Sequence, residues 1–152
     1  MRNELLVGIA VAIAAGTLIA VQTTFLSRAG AAIGNVRGGL MITLTGAAFS
    51  IIVLTMLWLR GETDWRWETS TWVALTIAGV LGAIIMGGFS FASQRAGITA
   101  ALAALFMGQM LVSSYVDARG WGGSGEVIPF TLARLGGLLL LAAGVYLLLF
   151  RR

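Results

Sequence analysis

The chain has 152 residues, of which 59% are hydrophobic and only 11% charged. Ordinary soluble domains carry about 25% charged residues, and a small domain cannot hide this much apolar surface from water. With no cysteine and no histidine, disulfides, thiolate metal sites and the commonest general base are excluded. The six carboxylates are dispersed, so enzymatic chemistry, a metal site and a cofactor are not expected.

The formal charge of +4 comes from ten basic residues, all arginine. A basic soluble protein would suggest nucleic acid. Here the arginines fall singly or in pairs between apolar stretches, the pattern of side chains that anchor at lipid headgroups. The expected partner is a lipid bilayer, with no nucleic acid.

A transmembrane helix needs about 20 mostly apolar residues to cross about 30 Å of hydrocarbon. Five segments meet that length: about Leu5–Phe25, Gly38–Leu59, Trp72–Ser93, Gly97–Val116 and Phe130–Phe150. The expected fold is therefore all-α, a single polytopic membrane domain over 1–152 with five transmembrane helices. Alternating polarity, which a β-barrel strand requires, is missing from these runs.

The first segment carries Ala12 and Ala14 in an imitation of a leader cleavage site. It exceeds the 7 to 15 apolar residues of a signal core and is preceded by Glu4, so it reads as a retained span. Between the first two spans, Ser27–Arg37 is small, glycine-containing and basic, as a short connection should be. Arg60–Thr71 is polar, with Trp65, Trp67 and Trp72 suited to the water–lipid boundary. Gln94–Ala96 is a very short link, which predicts a tight hairpin of the third and fourth spans. Asp117–Ile128 is polar and glycine-rich, and Pro129 stands where the fifth helix is expected to begin.

Five crossings put the chain ends on opposite sides. Arg2, Arg60, Arg66, Arg119 and Arg134 fall on the N-terminal side; Arg28, Arg37, Arg95, Arg151 and Arg152 fall on the other. Basic residues set orientation and acids contribute little, so a tie gives no strong preference; with Arg134 inside the fifth helix the count becomes four against five. Insertion both ways, with pairing of inverted copies, is a consequence. The alternative is one orientation with the C-terminal arginines in the cytoplasm, since all six acids share the N-terminal side.

Polar side chains within spans need partners or water and tend to face the protein interior. Gln22, Thr23 and Thr24 make a polar step in the first span, and Ser90, Ser93 and Gln94 a comparable one in the third. In the fourth, Gln109, Ser113 and Asp117 stand four residues apart and share a face, with Ser114 beside them. The candidate substrate-binding residues are Gln22, Ser90, Gln94, Gln109, Ser113 and Asp117. The bland alternative for Ser and Thr is a bond to their own helix, and for Gln a bond between helices contributing about 0.6–2 kcal/mol. Asp117 and Arg134 could pair across the last two spans as a clip, or hold a charged substrate. Gly79, Gly82, Gly87, Gly88, Gly136, Gly137 and Gly144 suit close helix packing, and Gly87–Gly88 could serve as a flexible point.

These residues resemble the YdcZ-type family of bacterial inner-membrane proteins, a five-span branch of the drug/metabolite transporter superfamily. The likeness rests on Gly16 and Gln22, Trp72 with the Gly79-Val80-Leu81-Gly82-Ala83 run, Ala96-Gly97, Gly108-Gln109, Asp117 with Gly120, and Arg134, Gly136 and Gly144-Val145. Where many relatives carry an Asn one turn beyond the first-span Gln, this chain has Leu26. The resemblance implies a half-size transporter working as an antiparallel homodimer, moving an unidentified small metabolite or drug by alternating access near the midplane. Two other readings are a small dual-topology ion channel of the fluoride type and a non-transporting membrane scaffold.

Overall fold

A computed structural model describes residues 2–62, 65–122 and 125–150, all of their regular structure helical. Five helices follow one another: α1 (Arg2–Ile33), α2 (Asn35–Leu59), α3 (Thr69–Ala96), α4 (Ile98–Arg119) and α5 (Leu132–Phe150). Each is long and apolar enough to cross a membrane. Asp64, Arg151 and Arg152, which enter the charge arithmetic, lie outside the described residues. The chain divides into two compact units, 1–94 and 95–152.

In the first unit the Ser27–Arg37 segment is not a loop. α1 continues through it to Ile33, and one residue, Gly34, separates α1 from α2. Alanine-rich sequence propagates the helix, and glycine alone tolerates the φ of 91° and ψ of 148° needed to break it. The ladder resumes at once: the Gly34 N–H donates to the Gly30 carbonyl and the Gly38 N–H to the Gly34 carbonyl, each at 2.9 Å. At 32 residues, α1 is about 48 Å long, well beyond the hydrocarbon thickness. A single glycine, Gly97 with φ 82°, likewise separates α3 from α4.

α2 ends in a Schellman turn. Gly61, at φ 74°, donates to the Trp58 carbonyl and Glu62 to that of Leu57, satisfying carbonyls the helix leaves open. Just beyond, Trp65, Trp67 and Trp72 stack in series, with ring centroids 5.6 and 5.1 Å apart. Amphipathic rings grouped at a helix start suit the headgroup boundary.

In the second unit α4 ends in the same way. Gly120 at φ 66° donates to the Asp117 carbonyl and Trp121 to that of Val116. The loop returns on itself, for the Ile128 N–H also donates to the Asp117 carbonyl at 3.0 Å. The fifth helix begins later than Pro129 suggests. Thr131 is its cap: its Oγ1 accepts from the Arg134 N–H at 3.3 Å, and its carbonyl from the Leu135 N–H. A proline fixes one φ, whereas a threonine hydroxyl also satisfies a helix donor that has no carbonyl partner. Thr131→Ala is expected to cost about 1 kcal/mol of local stability. Faster amide exchange at 132–135, with the middle of α5 unchanged, is the readout; equal exchange would refute the cap.

Little of the long helices is covered. In the most apolar window of α2 no residue is buried, and in those of the other helices at most 11% are. Leu26, Thr23, Phe89, Ser90 and Ser93 form the buried set of the first unit, with Gly30, Gly38 and Gly39. Lipid must cover most of the remaining surface, since water would be a poor solvent for it.

Candidate functional site

Most hydroxyls within the spans turn back on their own helix. Thr17, Thr24, Thr43, Ser50, Thr55, Thr76, Ser113 and Ser114 each donate to the carbonyl four residues earlier, at 2.7–3.0 Å. Thr23 does the same toward Ile19. This satisfies the group at no packing cost and carries no specificity.

Three serines break the pattern, and they meet in one place. Ser90 Oγ donates to Asn35 Oδ1 at 3.0 Å, and Gln94 Nε2 donates to the same oxygen at 2.5 Å. Ser93 Oγ lies 3.1 Å from Ser27 Oγ and donates to the Ser90 carbonyl. The end of α1, the start of α2 and the end of α3 are thus tied by one polar knot. Ser90 is fully buried, Ser93 nearly so, while Asn35 is half-buried and Gln94 exposed.

Glycines make the knot possible. A Cβ on Gly30 would meet Ser90 Oγ and lie 2.8 Å from Gln94 Nε2. One on Gly38 would lie 3.2 Å from the Gly30 backbone, and one on Gly39 would lie 2.5 Å from the Gly87 nitrogen. Backbones approach here as they do where small residues line membrane helix interfaces. Gly87 therefore belongs to a packing contact. Gly79, Gly82, Gly88, Gly136, Gly137 and Gly144, expected to serve packing too, have no atom within 4 Å of an added Cβ.

Asn35 and Ser27 were not among the sequence candidates. Both fall in the stretch that resembles a loop, where an Asn reads as a turn residue. The signal that could have found Asn35 is its place after Gly34: a one-residue break puts the first residue of α2 opposite whatever packs on the end of α1. Asn35 also lines, with Arg37, Gly87, Gly88 and Phe91, an open groove of about 670 Å³.

In the second unit the Asp117–Arg134 pair forms, with Nη1 to Oδ2 at 3.3 Å and both side chains about one third exposed. A partly solvated pair of this kind contributes at most about 1 kcal/mol. It stands at one end of a groove of about 430 Å³ between α4 and α5, lined also by Met110, Ser113, Ser114, Gly137, Leu138 and Leu141. Ser113 and Asp117 thus share a wall as their spacing predicts. Gln109, the third member of that stripe, is exposed outside the groove, and Gln22 is exposed on α1 beside buried Thr23. A second, apolar groove of about 430 Å³ flanks the same hairpin, lined by Met107, Leu111, Tyr115, Phe130, Leu135 and Leu139 among others.

Five helices, each long and apolar enough to cross a membrane, define a multi-pass membrane protein. The family described as "Putative inner membrane exporter, YdcZ" matches residues 7–147, and the chain belongs to it. Its location is the inner membrane. Neither a curated protein nor a solved structure matches the chain.

Proposed function

We propose that the chain is an exporter of small metabolites or drugs that works by alternating access as an antiparallel homodimer. The observation that carries this reading is the match to an inner-membrane exporter family over nearly the whole chain. Two features support the inverted pair. The arginines divide nearly evenly between the two sides of five spans, five against five or, with Arg134 inside α5, four against five, and the exposed helices leave ample apolar surface for a second copy.

In this reading Ser113 and Asp117 contact substrate from the α4–α5 groove. Gln94 does so from the edge of the knot, with Ser90 holding it from behind. Gln22 and Gln109, exposed on their helices, supply amides that a facing copy would bring to the shared pathway. Inverted repeats with substrate between them are the common plan of secondary transporters.

A single tag at the C-terminus tests the pairing. Reagents applied to each side of the membrane should find two populations of comparable size; one population would overturn the inverted pair. Purified protein in vesicles should move solute at carrier rates, with no unitary currents in electrical recording. Channel-like currents would overturn alternating access. If Gln109→Ala leaves transport of a defined substrate unchanged, Gln109 leaves the site.

A further inference from the structure

Among the described residues, the Asp117–Arg134 contact takes up only part of the pair's bonding capacity. The contact engages one of five guanidinium N–H donors and one of two carboxylate oxygens. The side chains are 37% and 32% exposed, and both line the groove. The rest of that wall is apolar, apart from Ser113 and Ser114, whose hydrogens point to the carbonyls of Gln109 and Met110. With those hydrogens committed to backbone carbonyls, their oxygens can act only as acceptors.

A fixed positive and a fixed negative charge, side by side, form a dipole of no net charge. The ligand that complements it carries the reverse dipole: a cationic group for Asp117 and an anionic one for Arg134. A ligand of single charge would satisfy one partner and repel the other. From Asp117 to Met110, and from Arg134 to Leu141, the groove follows each helix for seven residues, about 10 Å at 1.5 Å per residue. An apolar tail would lie there against Met110, Leu138 and Leu141.

We infer that the α4–α5 groove binds small amphipathic zwitterions, with the head across Asp117 and Arg134 and an apolar tail along the groove. This deepens the transport reading by naming a substrate class, and it rests on that reading only for its physiological meaning. The same chemistry is offered by a free apolar amino acid and by a lipid with an ethanolamine headgroup. The site itself is tested by binding, which can fail while export stands, just as export can fail while binding stands.

The test uses the whole chain in nanodiscs of phosphatidylglycerol, which supply no zwitterionic headgroup. Leucine is titrated beside 4-methylpentanoate, which lacks its ammonium, and 3-methylbutylamine, which lacks its carboxylate. Losing one charge-assisted contact should weaken binding about tenfold or more, so leucine should exceed both analogues by that factor. Asp117→Asn should abolish the preference of leucine over 4-methylpentanoate, and Arg134→Gln its preference over the amine. A pair acting only as a clip would not exchange ligand charge preference in this way.

Should either variant fail to fold, Gly137→Leu keeps the pair and fills the groove. An added Cβ at Gly137 meets nothing within 4 Å, so folding should persist while leucine binding falls at least about tenfold. Phosphatidylethanolamine in the nanodiscs separates the sources. Loss of leucine binding would identify the headgroup as the occupant, and unchanged binding a free solute. Absence of leucine binding in phosphatidylglycerol discs together with no ordered ethanolamine lipid, or an unaltered charge preference in folded Asp117→Asn, overturns the inference.

Discussion

Gly39→Ala should lower the melting temperature of the protein, whereas Gly87→Ala, in the helix facing it, should not. The two glycines belong to one contact but their Cα–H bonds point differently. A Cβ at Gly39 would lie 2.5 Å from the Gly87 nitrogen and 2.7 Å from its Cα, distances no real Cβ adopts. The obstacle is backbone, so no rotamer change relieves it and α2 must move from α3. Overpacking costs about 1–3 kcal/mol, and rigid surroundings favour the upper end. The helix-propensity gain of Gly→Ala, about 1 kcal/mol, offsets only part. A Cβ at Gly87 would instead lie 3.9 Å from the Asn35 carbonyl and 4.0 Å from the Val36 Cα, ordinary contact. That variant should be neutral or slightly stabilised. Tryptophan fluorescence melts in detergent would show the asymmetry; equal melting temperatures would mean the helices are not held at this distance.

The helices were legible because their signal is composition over a long window, which packing does not alter. Their ends were less so. Span length set by bilayer thickness stops the first helix near Phe25, yet Leu26–Ile33 continue it, because nothing in that alanine-rich stretch breaks a helix before Gly34. The buried face of that extension, Leu26 and Gly30, lies outside the span read from hydropathy. Among site residues, the Ser113–Asp117 spacing sufficed because both lie on one helix, where the 3.6-residue period fixes the shared face. The Asp117–Arg134 pair was legible as one of two possibilities, since opposite charges at the facing ends of consecutive helices can meet across an antiparallel pair. Asn35 was not legible. Its partners lie 55 and 59 residues away on α3, and no local period reports a contact between helices.

Asn35 is where loss of a single side chain should loosen α2 from α3. Its Oδ1 accepts from both Ser90 and Gln94, and Ser90 has no exposed surface. Asn35→Leu keeps comparable bulk but removes the acceptor. The Ser90 hydroxyl can then turn to the Met86 carbonyl, as serines four residues from a carbonyl do elsewhere in this chain, which limits the loss to about 1–2 kcal/mol. Asn35→Asp retains both acceptor positions and should lose less. Gly30 supplies the coupling test, because a Cβ there collides with Ser90 Oγ. Gly30→Ala alone should destabilise strongly. Ser90→Ala added to it removes the colliding atom and should recover a measurable part, so that the double variant is more stable than the sum of the single losses predicts. Strict additivity, or an Asn35→Leu protein that melts with the wild type, would show that the knot forms without holding the helices together.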